Sequence, residues 1–129
     1  MLRKITILSM ILMLGVFGYS ANTKVNSKVS KIVTENAKVT FIELGSVKCV
    51  PCKMMQPVMK QVEEKYPDQV KVVFYDVWTK LGEPFGQAYN IRVIPTQVFL
   101  DSKGNEYARH EGYFPYEELL KVLEEQGVK

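Results

Sequence analysis

From residue 39 onward, apolar positions recur in two alternating rhythms, one of strands and one of helices. Val39–Leu44 reads VTFIEL, a short β-branched and aromatic run, which predicts a strand. Gly45 and Ser46 break it. From Lys53 to Tyr66, Met54, Met55, Val58, Met59 and Val62 recur at helical spacing, so this stretch predicts the main helix, its methionines filling core. Pro57 lies inside that helix and, lacking an N–H, predicts a kink, while Pro67-Asp68 ends it. Val70–Val77 (VKVVFYDV) alternates poorly and predicts a buried central strand. Trp78–Gly82 is a loop, Glu83–Tyr89 a short helix and Thr96–Leu100 a strand. Asp101–Asn105 forms a hairpin turn before the return strand Glu106–Glu111. Pro115–Gln126 closes the chain as an amphipathic helix with Pro115 in its first turn and Leu119, Leu120, Val122 and Leu123 toward the sheet. This order predicts an α/β domain: a central mixed sheet of four or five strands, parallel between the Val39 and Val70 strands, ending in an antiparallel hairpin and flanked by helices on both faces.

The N-terminus has a different character. Residues 1–20 place Arg3 and Lys4 before an apolar stretch from Ile5 to about Phe17, with Gly18 and Ser20 at the −3 and −1 positions before Ala21. That is the pattern of a secretory signal peptide; the alternative is an uncleaved anchor. Residues 21–37 then form a polar lead-in with a helix over Lys28–Asn36, and 38–129 the folded domain. Length allows one domain, and an apolar fraction of 47% suffices for a core. The formal charge of +3 falls to +1 without Arg3 and Lys4, and no dense basic run remains, which excludes a nucleic-acid partner. Export places the domain outside the cytoplasm, where disulfides persist.

Composition changes the picture most at cysteine. The chain has two, and both fall in GSVKCVPCKMM (Gly45–Met55), where strand hands over to helix. Cys49 and Cys52 share one helix face, close enough to join or part with little backbone change. Unpaired N–H groups and the helix dipole favour thiolate at Cys49, Lys48 adds to this, and Pro51 suits the first turn. A structural staple gains only about 2 kcal/mol from so short a loop. Zinc wants four ligands and the chain offers two cysteines and one distant histidine, His110. Two unrelated thiols would be coincidence at this spacing. A redox pair is the reading these residues favour. Glu43, an acid within Phe41-Ile42-Glu43-Leu44, costs several kcal/mol if buried charged and unpaired, so it is either protonated or functional, or else exposed at the strand end.

These residues, taken together, resemble the thioredoxin family over about Val39–Gly127. Cys49-Val50-Pro51-Cys52-Lys53-Met54 is similar to its active-site motif, and Pro57 to its kinking proline. Ile94-Pro95-Thr96 resembles its cis-proline turn, and Asp101-Ser102-Lys103-Gly104 its last hairpin, followed by Gly112 at the substrate-facing loop. The resemblance implies the thioredoxin fold, a cis Pro95, and an extended substrate strand beside Cys49 on the Ile94 backbone. It also implies that Glu43 takes the place of an aspartate that accepts the proton of the second cysteine. The expected substrate-binding residues are Lys48, Val50, Pro51, Ile94, Pro95, Thr96 and Gly112. Several positions depart from the family: Lys48 replaces the usual tryptophan, Val-Pro replaces Gly-Pro, and Val72 stands where a lysine often faces the buried acid. The segment Trp78–Gly86 is a few residues longer.

The expected function is an extracytoplasmic thiol–disulfide oxidoreductase that reduces protein disulfides without a cofactor or metal, as a monomer. A membrane-embedded electron donor would return it to the dithiol. The rival readings are a disulfide-forming oxidase or isomerase of the same fold, and a non-enzymatic binding module.

Overall fold

Seven elements follow one another in the computed structural model, which describes residues 37–129. They are β1 (Val39–Gly45), α1 (Val50–Lys65), β2 (Val70–Asp76), α2 (Glu83–Ala88), β3 (Thr96–Leu100), β4 (Glu106–Glu111) and α3 (Tyr116–Glu124). The signal segment 1–20 and the Lys28–Asn36 helix lie outside the described residues. Among the described residues no helix is long and apolar enough to cross a membrane.

The four strands form one sheet in the order β2-β1-β3-β4. β1 pairs parallel with β2 from Val39↔Val70 to Gly45↔Asp76, and antiparallel with β3 from Thr40↔Leu100 to Leu44↔Thr96. β3 and β4 form the antiparallel hairpin. Its turn is built locally: the Asp101 carboxylate accepts from the backbone N–H of Lys103 at 2.8 Å and of Asn105 at 2.9 Å.

Alternation along β1 sorts the core into two layers. Phe41 and its β3 partner Phe99 stack at 5.1 Å, beneath Met55, Val58, Met59 and Val62 of α1 and Leu119 and Leu123 of α3. On the other face Ile42, Leu44, Val98 and Leu100 pack with Tyr89, and Phe85 of α2 stacks on Tyr75 at 3.7 Å. Each such side chain taken fully from water contributes roughly 1.5–3 kcal/mol, so both faces need their helices.

The structure corrects four expectations. β2 is not a buried central strand. It lies at the edge of the described sheet and is half-buried from Lys71 to Asp76, since β-branching marks a strand but not its rank in the sheet. α1 begins at Val50 rather than Lys53, because Cys49 caps it and Pro51 fits its first turn. Met54 is exposed: the buried stripe runs through Cys52, Met55, Val58, Met59 and Val62, and one residue's rotation carries Met54 off it. Pro115 stands at the N-cap of α3, just before its first turn.

Candidate active site

The C-terminal end of β1 delivers the chain into the loop Ser46–Lys48 and so to the cysteines. Cys49 has extended backbone angles (φ −93°, ψ 127°), as an N-cap should. Its N–H donates to the Ser46 carbonyl at 3.1 Å, its carbonyl accepts the first helical bond from Lys53 at 3.0 Å, and its sulfur accepts from the Cys52 N–H at 3.4 Å. The cap residue is therefore itself one of the two paired cysteines. No acidic side chain occupies the first turn of α1, leaving its positive end uncompensated. Cys49 and Cys52 form a disulfide, their Cα atoms 5.2 Å apart. Cys49 keeps 8% of its surface exposed and Cys52 only 1%, so an incoming group meets Cys49 first.

Glu43 lies beneath this pair, with no exposed surface and neither carboxyl oxygen hydrogen-bonded. Burial pushes its carboxyl up to about 8; the amide of Gln97 pulls the other way. The register places Phe74, not Val72, beside Glu43 on β2, and Gln97 on β3. No described cation pairs with it.

Gly45 is the spacer between acid and sulfur. A Cβ there would lie 3.2 Å from both Cβ and Sγ of Cys52 and 3.6 Å from Glu43 Oε1. Gly45→Ala is therefore expected to destabilise the oxidised protein by about 1–3 kcal/mol through overpacking. Comparison of denaturant midpoints checks this, and an unchanged midpoint would mean that the gap can open freely.

The pairing Leu44↔Thr96 brings Ile94, Pro95 and Thr96 to the same end of the sheet as Gly45 and Cys49. The Ile94–Pro95 bond is cis. Thr96 is fully buried, its hydroxyl donating to the Val93 carbonyl at 2.7 Å. Gly112, at φ +91°, follows β4 and donates its N–H to the Pro95 carbonyl at 2.8 Å. That φ suits glycine. Of the remaining expected residues, Val50, Lys48 and Pro51 are exposed around the cysteines. All ten expected site residues thus gather at one end of the sheet.

Sequence reasoning missed Gln97, a fully buried amide beside Glu43; a glutamine in the otherwise apolar run TQVFL was the available signal. It also missed Asp76, whose carboxylate accepts from the N–H of Val47 (3.2 Å) and Trp78 (3.1 Å), tying the loops on either side of the site. Val47, Val50, Met54, Trp78, Val93 and Tyr113 are exposed apolar side chains. Trp78 and Val93 border a cleft of about 300 Å³ that Ile94 also lines. His110 takes no part in a ligand cluster: it stacks on Phe114 at 3.9 Å with its Nε2 3.2 Å from the Tyr113 carbonyl. Among the described residues no group of three potential metal ligands occurs.

Comparison with known proteins places this geometry. The model of the thioredoxin-like domain matches residues 26–127. Thioredoxin C-3 of Corynebacterium nephridii is 34% identical over 97 residues, covering 75% of this chain and 64% of that protein. The chloroplastic thioredoxin-like protein HCF164 of Oryza sativa is 27% identical over 127 residues, covering 92% of this chain and 48% of its own length. The chain thus spans about half to two thirds of the curated relatives it matches. In structure, a thioredoxin variant of Halobacterium salinarum superposes with a TM-score of 0.67 at 22% identity, covering 80% of this chain and 85% of the other. Thioredoxin f2 of Chlamydomonas reinhardtii gives 0.66 at 17% identity, covering 81% and 94%. These likenesses establish the fold.

Proposed function

The chain belongs to the thioredoxin-like family, and from that premise we propose that it is an extracytoplasmic thiol–disulfide oxidoreductase that reduces protein disulfides. The observation that carries this reading is the capping cysteine: Cys49 ends its own helix at the positive pole, joined to a buried Cys52 above a buried, unpaired Glu43.

The reduced protein begins the reaction. Cys49 thiolate attacks one sulfur of a substrate disulfide, forming a mixed disulfide and expelling the other sulfur as thiolate. Glu43, in its ionised form, accepts the proton of Cys52 through water. The Cys52 thiolate attacks Cys49, which forms the Cys49–Cys52 disulfide and releases the second substrate sulfur. Two electrons pass to the substrate, whose thiolates take up protons. Ile94, Pro95, Thr96 and Gly112 hold the substrate as an extended strand alongside Cys49, and Lys48, Val50 and Pro51 form the other wall. A membrane-embedded donor restores the dithiol, and the leader read in residues 1–20 supports this location.

Insulin reduction by the dithiol-loaded protein tests the reading: turbidity should rise with wild type, and an inert wild type would overturn it. The Cys49–Cys52 potential separates reductase from oxidase, since about 30 mV moves the equilibrium tenfold.

A further inference from the structure

One row of side chains crosses the sheet on the α1 face. Phe74, Glu43, Gln97 and His110 are successive register partners on β2, β1, β3 and β4, and side chains so paired share a face. Gln97 is fully buried. Its Nε2 donates to the Gly112 carbonyl at 3.1 Å, while its Oε1 has no partner. Gly112 in turn donates its N–H to the Pro95 carbonyl at 2.8 Å. The glutamine therefore has its amide nitrogen on the Pro95–Gly112 corner and an Oε1 without a partner, and its register neighbour is an acid whose two oxygens are also free.

We propose that Gln97 is a positioning residue that joins Glu43 to the Pro95–Gly112 corner, so that the proton on Glu43 sets how firmly that corner is held. A protonated Glu43 has an O–H to donate, and its register neighbour Gln97 has an unfilled acceptor in Oε1. The amide then keeps Nε2 on Gly112. An ionised Glu43 can only accept. The Gln97 amide is the donor at hand, and a buried carboxylate without a donor is costly. The amide must turn or share its hydrogens, and the Gly112 carbonyl loses part of its bond. The corner then loosens as Glu43 ionises.

No other described group offers itself for this task. β2 presents Phe74 beside Glu43. Asp76, at the strand end on the same face, is committed to the Val47 and Trp78 amides. From α1 the neighbour across Gly45 is Cys52, held in the disulfide. On β4 His110 is one strand further along the row, with its Nε2 at the Tyr113 carbonyl.

The inference rests on the proposed function only in calling the corner substrate-facing, so it is tested without turnover. In ¹⁵N- and ¹³C-labelled oxidised protein, the Glu43 carboxyl, the Gln97 side-chain amide and the Gly112 N–H are followed by NMR from pH 5 to 10. In wild type all three should shift with one midpoint. In Gln97→Leu the Gly112 titration should vanish while Glu43 still titrates, at a higher midpoint because its one opposing amide is gone. In Glu43→Gln, which keeps Gln97 and serves if the leucine variant does not fold, Gly112 should also stop titrating. A Gly112 signal that stays flat in wild type while Glu43 titrates would overturn the proposal. So would a Gly112 titration that persists in either variant. A protein inert toward insulin that still shows the linked titration would lose the redox assignment and keep this one.

Discussion

Cys49→Ser should leave no disulfide-reducing activity above background, whereas Cys52→Ser should halt the reaction one step later, with substrate covalently held on Cys49. The asymmetry follows from position. Cys49 caps α1, where the dipole favours a negative charge by about 0.3–1 kcal/mol, or up to ~2 when partly buried. At about 1.36 kcal/mol per pKa unit, this accounts for roughly one unit of lowering, and the absence of an acid in the first turn leaves it intact. Cys52, with 1% of its surface exposed, cannot be reached by a protein disulfide without opening the site. In the proposed mechanism it acts from within, where well-oriented pairs reach effective molarities of about 10⁵ M or more. External thiol at roughly millimolar strength cannot replace it, so the trapped species should survive on a non-reducing gel and in mass spectra. Covalent capture by Cys49→Ser through Cys52 would reverse the two roles.

What made this site legible is that its chemistry is local. A cap, a first-turn proline and a second cysteine one helical turn on are all fixed by spacing along the chain, and so is the Asp101 turn that set the limits of β3 and β4. What depended on register stayed hidden. Nothing in VKVVFYD says that Phe74 rather than Val72 will lie beside Glu43, because that choice is made by the pairing of two strands. The same pairing sets Gln97 opposite Glu43. The rank of β2 in the sheet was likewise unreadable, since a β-branched run suits an edge as well as a centre. Met54 misled for a different reason. It sits four residues from Val58, a helical spacing, but the buried stripe of α1 runs through Cys52, Met55, Val58, Met59 and Val62, and Met54 falls just off it.

Glu43 should make the oxidised protein less stable as pH rises, against the usual behaviour of carboxylates. The ordinary value is 4.5 and the folded value about 8, raised by burial. Between those limits the folded chain keeps a proton that the unfolded chain has released, so the unfolded state is favoured by rising pH. At about 1.36 kcal/mol per unit, the window from roughly pH 4.5 to 8 removes some 4 kcal/mol, a large part of the 5–15 kcal/mol typical of a domain. Glu43→Gln carries no such charge. Its denaturant midpoint should stay nearly level across this window as far as this group is concerned, so that the variant overtakes wild type by several kcal/mol at pH 9 while gaining little at pH 5. Equal slopes for the two proteins would show that Glu43 ionises without penalty. The cost and the proposed chemistry have one source. A carboxyl that holds its proton to about pH 8 is closely matched to a thiol near 8.5, whereas an exposed glutamate would be too weak a base to draw the proton from Cys52.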